Sequence, residues 1–171
     1  MQETAILYGP TKGSVAKVAR MIADQLPNAG LVEVKHIDAG TFKKYNHLIL
    51  GLSTIGRANW DSPHTDVDWD VFMAHIDQID WTGKTVAIFG LGDQTMYPDN
   101  FVDAIAWLYD RLARKNIKIV GHTSPEGYKF NDSEAFREGV FLGLPVDEDN
   151  EPDLTPGRVK NWLEQLKKEG F

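Results

Sequence analysis

The chain has 171 residues, 42% hydrophobic and 25% charged, with a net charge of −7 and no cysteine. This length suits one domain with one buried core, and the lack of thiols excludes disulfides, thiolate catalysis and cysteine-held metal or iron–sulfur centres. The acidic balance argues against nucleic acid and anionic membrane and suits a basic protein partner, although charge of this size also serves solubility alone.

The opening Met1-Gln2-Glu3-Thr4 carries no basic or apolar leader, so a cytoplasmic protein is expected. No apolar run approaches the roughly 18 residues of a membrane span. Thr4-Ala-Ile-Leu-Tyr8, closed by Gly9-Pro10, reads as a buried strand. From Gly13 to Leu26, Val15, Val18, Ala19, Ile22 and Leu26 share a helical face, and Pro27-Asn28 stops it. Leu31 to Ile37 alternates as a half-buried strand, and His47-Leu-Ile-Leu-Gly51 is a third strand. Asp66 to Ile79 predicts a helix carrying Val67, Val71, Phe72, Ile76 and Ile79.

Lys84 to Gly90 is a fourth strand. The spacing then predicts a long helix from about Pro98 to Asn116, with the proline tolerated in its first turn, and a fifth strand over Ile117 to Gly121. Thr123 to Leu144 shows no clear helix and reads as an excursion that interrupts the fifth strand and rejoins it at Phe141. The last helix opens at Thr155-Pro156 and runs to about Lys168. Alternating strands and helices predict a doubly wound parallel sheet of five strands, order 2-1-3-4-5, with helices on both faces. Residues 1–171 read as a single domain.

Ligands of such sheets bind at the carboxyl ends of the strands, where three loops should converge. The first, Gly9, Pro10, Thr11, Lys12, Gly13, Ser14 and Val15, leaves a strand and opens a helix. Its N–H groups and the Thr11 and Ser14 hydroxyls suit a phosphate, though a plain strand–helix turn with a solvated lysine explains it equally. The second runs from Leu52 to Asp61 and holds Ser53, Thr54, Ile55, Gly56 and Trp60. The third holds Leu91, Gly92, Asp93, Tyr97, Asn100 and Phe101. An exposed aromatic in either can stack on a planar ligand.

The stretch from Gly90 through Tyr97 and Asn100 to Ala104 resembles the fourth-strand loop of long-chain flavodoxins, as do Gly127 to Phe130, Phe141 to Asn150 and Asp153 to Thr155. Asp68-Trp69-Asp70 and Ile79 to Lys84 are similar as well. The resemblance covers almost the whole chain, and it implies that the excursion at 123–144 is the insertion of the long-chain class. It further implies a low-potential one-electron carrier that binds FMN noncovalently and shuttles electrons from a basic flavodoxin or ferredoxin reductase to acceptor proteins, as a monomer. By position Tyr97 resembles the stacking tyrosine, and Asp93, Asn100 and Asp149 fall where the family lines the ring. The acidic residues Asp61, Asp66, Asp93, Asp99, Asp147, Glu148 and Asp149 are expected beside the flavin edge.

Two departures stand out. Where the family has a Thr/Ser-rich phosphate loop, this chain has Pro10, Lys12 and Val15 at three of the hydroxyl positions. Where the family has a tryptophan after the threonine matching Thr54, this chain has Ile55 in a longer loop. Either Ile55 or Trp60 then covers the second ring face, and Gly56 takes the place of the residue whose carbonyl turns toward flavin N5. The competing readings are an FMN-dependent NAD(P)H:quinone oxidoreductase, which the long loop with Arg57 and His64 would suit, and a flavin-free interaction module. A phospho-accepting receiver needs an acidic residue at the end of strand three, where this chain has Leu50-Gly51-Leu52.

Overall fold

The computed structural model describes residues 3–54 and 67–171. The predictions for Asp61 and Asp66 and for Ile55, Gly56, Arg57, Trp60 and His64 therefore lie outside the described residues. Strand β1 (Glu3–Tyr8) leads into helix α1 (Ser14–Gln25), then strand β2 (Gly30–Glu33), a short helix α2 (Ala39–Phe42) and strand β3 (Tyr45–Ser53). Helix α3 (Val67–His75), strand β4 (Thr85–Leu91), helix α4 (Asp103–Leu112) and strand β5 (Lys118–Val120) follow. Two-residue strands β6 (Phe136–Arg137) and β7 (Val140–Phe141), strand β8 (Leu144–Val146) and helix α5 (Thr155–Lys168) complete the order.

The main sheet is parallel in the order β2-β1-β3-β4-β5, as the alternation of elements predicted. Its middle strands are apolar on both sides because both faces are covered. The period of two sorts their side chains into two cores. Ala5, Leu7, Leu48, Leu50, Val86 and Ile88 join Trp69 and Phe72 of α3 and Ile105 and Leu108 of α4. Ile6, Tyr8, Ile49, Ala87 and Phe89 join Val15, Val18 and Ile22 of α1 and Val159, Trp162 and Leu166 of α5. Among the described residues no helix is long and apolar enough to cross a membrane.

The structure corrects three boundaries and adds one element. The strand predicted over Leu31 to Ile37 stops at Glu33, because Val34–His36 turn as a 3-10 helix that buries Val34. Helix α2 has no sequence-based counterpart; Asp38 caps it by accepting from the Thr41 N–H at 2.8 Å, and Phe42 packs edge-on against Trp81. The helix predicted over Asp66 to Ile79 ends at His75 and tightens into a 3-10 turn at Ile76–Gln78, and Val71, one of the apolar residues it was expected to carry, is exposed. The helix predicted from Pro98 to Asn116 spans only Asp103–Leu112, because Val102 ahead of it is left-handed at φ 50° and Pro98 to Phe101 turn instead.

The fifth strand is split as predicted, but it resumes at Leu144 rather than Phe141. β4 pairs with β5 from Thr85 to Ala87 and with β8 from Phe89 to Leu91. Phe141 belongs to the excursion, opposite Phe136 and bridged to Thr123. The excursion's aromatics pack on the domain edge: Phe101, Tyr128, Phe130, Phe136 and Phe141 form one cluster with centroids 5.1–6.0 Å apart.

Candidate functional site

Strands β1, β3 and β4 run in the same direction, so the chain leaves all three at one edge of the sheet. At the first exit, Trp69 pins the backbone from below. Its indole Nε1 donates to the carbonyls of Gly9, at 3.1 Å, and Gly51, at 3.2 Å, joining the ends of β1 and β3. The Gly9 N–H donates to the Gly51 carbonyl at 3.3 Å. Beyond this anchor, Pro10, Lys12, Gly13 and Ser14 are exposed and Thr11 is half-buried.

Gly13 sits at φ 87°, a conformation that favours glycine, and a side chain added there would meet nothing within 4 Å. It precedes α1, whose N-terminus has no side-chain cap and no acidic residue in its first turn. Open amide donors at the positive end of a helix dipole, on a loop that also carries Thr11, Lys12 and Ser14, are a donor set that suits an anion. The side chain of Val15 is not part of it: Val15 is buried in the core with α5.

At the second exit Thr54 is occupied structurally. Its N–H donates to the Leu91 carbonyl at 2.9 Å, and its hydroxyl accepts from the Ala104 N–H at 3.0 Å, serving the first turn of α4. Ser53 beside it is half-buried.

The third exit is held by a set of hydrogen bonds. Asp93 Oδ1 accepts from the N–H groups of Thr95 and Met96 and from Asn150 Nδ2, at 2.8–2.9 Å. The Tyr97 N–H donates back to the Asp93 carbonyl at 3.0 Å. This turn leaves Tyr97 38% and Met96 68% exposed, so an aromatic face is available on the same sheet edge as that donor set. Leu91 and Phe101 point the other way, into the cores. The Gly92 N–H is taken by the Val146 carbonyl at 2.9 Å, and Asn100 donates to the carboxylate of Asp103.

The described carboxylates expected at the edge divide into two kinds. Asp147 is fully buried, with both oxygens accepting from Gln94 and Asn150, and Glu148 pairs with Lys17 of α1 at 2.9 Å and accepts from the Thr155 hydroxyl. Asp147 thus ties backbone N–H groups of two loops together and Glu148 links α1 to the start of α5, so their carboxylates are engaged within the protein. Asp93, Asp99 and Asp149 keep access to solvent. Burial raises the Asp149 carboxyl above its usual range, helped by the nearby charges of Asp93, Asp147 and Glu148.

Sequence reasoning missed the polar bracing behind the loop. Gln94, Asn150, Glu151 and Arg158 connect there, and Arg158 lies over the ring of Tyr128 at 4.1 Å. Burial pushes the Tyr128 phenol up to about 12, against the opposing charge of Arg158 and with that of Glu151, so it stays a donor to the Pro145 carbonyl. The only signal for Gln94, Tyr128 and Asn150 was their place within stretches that resemble the family, and Glu151 and Arg158 lie outside those stretches.

A parallel doubly wound sheet with an uncapped helix start and an exposed tyrosine at its carboxyl edge defines the class of α/β proteins that bind ligands at that edge. The sequence profile of the flavodoxin family matches residues 6–162. A Nostoc flavodoxin is 39% identical over 98% of this chain and 97% of its own length, and the Synechococcus elongatus flavodoxin is 37% identical over 99% and 98%. Fusobacterium nucleatum flavodoxin bound to flavin mononucleotide has 29% identity and a TM-score of 0.85, covering 99% of both chains. A mutant of that protein, also bound to flavin mononucleotide, reaches 31% identity and a TM-score of 0.86, covering 99% of this chain and 97% of its own. The chain belongs to the flavodoxin family, and so to the FMN-based electron-transfer proteins rather than to the enzymes.

Proposed function

We propose that this chain binds one FMN noncovalently at the carboxyl edge of the sheet. In this reading it carries single electrons at low potential from a basic reductase to acceptor proteins, as a cytoplasmic monomer built as one domain. The observation that carries the reading is the open N-terminus of α1 beside an exposed Tyr97. The N–H groups after Gly13, the hydroxyls of Thr11 and Ser14 and the ammonium of Lys12 would hold the phosphate. Tyr97 would stack on one face of the ring, and Gly92, Asp93, Asn100 and Asp149 would stand along its rim.

The residues fit the group. The donor set is neutral and cationic only, and Gly13 keeps the approach free of a side chain. FMN supplies one-electron exchange when bound. The protein supplies the site's shape, the electrostatics at its rim and the exclusion of water by Tyr97.

A visible spectrum of the purified protein with FMN, followed through stepwise reduction, tests this. Tight one-to-one flavin binding with two separable one-electron steps is expected. A protein that takes up no FMN overturns the reading, and rapid NAD(P)H:quinone turnover by the pure protein overturns the carrier role.

A further inference from the structure

The loop that presents Tyr97 meets the excursion and the C-terminal helix at one buried side chain. Gln94 follows Asp93 directly and precedes Tyr97 by three positions, yet only 6% of it is exposed. Its backbone N–H and its Nε2 both donate to Asp147 Oδ2, at 3.0 and 2.9 Å. Nε2 also donates to Glu151 Oε2 at 3.0 Å, and Oε1 accepts from the Lys129 N–H.

These partners come from two segments, the connection between β8 and α5 and the excursion. Asp147 follows β8, Glu151 leads into α5, and Lys129 lies in the excursion. Glu151 is itself fixed by Arg158 Nη1 at 2.7 Å. The position asks for two N–H donors toward two carboxylates and one acceptor toward a backbone N–H. Of the natural side chains only a primary amide supplies that set, and only glutamine supplies it at this length. An alanine would leave the Lys129 N–H and the two carboxylates short of partners. A glutamate of the same shape would set a third carboxylate against them.

We infer that Gln94 is a positioning residue for the flavin: it fixes the stacking loop, and with it the height of Tyr97 above the ring, by locking that loop to the excursion and to α5. The inference rests on the FMN reading above. The excursion then acts on the site through Lys129 and Gln94.

Three variants test it: Gln94→Ala, Gln94→Glu and, as a control for lost stability away from the loop, Lys84→Met. Two quantities are measured. One is FMN affinity with the visible circular dichroism of the bound flavin. The other is amide hydrogen exchange at Thr95, Met96 and Tyr97 in the FMN-free protein. Gln94→Ala should weaken FMN binding about tenfold, as loss of buried hydrogen bonds would. It should also alter the flavin dichroism and speed exchange at the three amides. Gln94→Glu, which fills the same space, should do the same, and Lys84→Met should change none of these. Wild-type affinity and exchange in both Gln94 variants would overturn the inference, as would equal losses in Lys84→Met. If the wild-type protein takes up no FMN, the functional reading fails, whereas the exchange measurement still decides whether Gln94 locks the loop.

Discussion

Lys12 carries the sharpest departure from the family's phosphate loop. It is exposed on the turn before α1, among donors that are otherwise neutral. A charge-assisted contact with a phosphate is stronger than a neutral one and weakens as salt screens it. Lys12→Ala should therefore lower FMN affinity about three- to tenfold at low salt and flatten its salt dependence. A fluorescence titration at two ionic strengths reads both, and unchanged values would leave the lysine a solvated bystander.

Asp147 makes the opposite case, since a residue assigned by its place in the sequence to the flavin edge is fully buried. Burial alone would raise its carboxyl, but hydrogen bonds from the side chains of Asn150 and Gln94 and from their backbone N–H groups outweigh it. The folded-state value lies below the ordinary 3.8. Its contribution to stability is then fully present above 3.8 and is lost as pH falls through the lower folded value. Acid unfolding should steepen in that window in the wild type. Asp147→Asn should cost about 1–3 kcal/mol at neutral pH and flatten the acid slope, as urea midpoints measured across the range would show.

At the level of elements, the split fifth strand depends on a close approach at Gly143. A Cβ there would stand 2.2 Å from the Ile88 carbonyl oxygen, a backbone atom that cannot rotate away. Gly143→Ala should destabilise the fold by about 1–3 kcal/mol through overpacking, seen as a lower denaturation midpoint. A midpoint equal to wild type would mean that the β4–β8 pairing yields without loss.

The same elements show what a sequence discloses. β1, β3 and β4 were legible because strands buried on both faces appear as near-continuous apolar runs. α2 was not, since four residues carry no periodicity. Leu91 and Phe101 were assigned to the ligand because they lie in the loop after the fourth strand, whereas the alternation of β4 and the aromatic cluster of the excursion take their side chains inward. Gln94 was illegible for another reason. Its side-chain partners lie 35, 53 and 57 residues away, and nothing local in Asp93-Gln94-Thr95 announces them.

For the whole molecule the main question is how its charge meets a partner. The net charge is −7, but Asp147 and Glu148 are consumed internally. Near the site the focus rests on Asp93, Asp99 and Asp149 among the described residues. Those three should steer a basic reductase, so reduction rates should fall as ionic strength rises from about 10 to 200 mM, over which the screening length shrinks several-fold. Neutralising all three should remove most of that dependence, and a rate indifferent to salt in the wild type would count against steering.

The interrupted fifth strand also bears on what happens when many copies of this chain are crowded together. A sheet that is not closed into a barrel ends in rows of unpaired N–H and C=O groups, which can template pairing with a neighbour. One border of this sheet is β2, four residues long and cut short by a 3-10 turn. The other is broken between β5 and β8, three residues each, with the excursion leaving and returning between them. Among the described residues neither border offers the long flat run on which intermolecular ladders and fibrils grow. The break between β5 and β8 thus leaves this border a poorer template for such pairing than an unbroken strand would be.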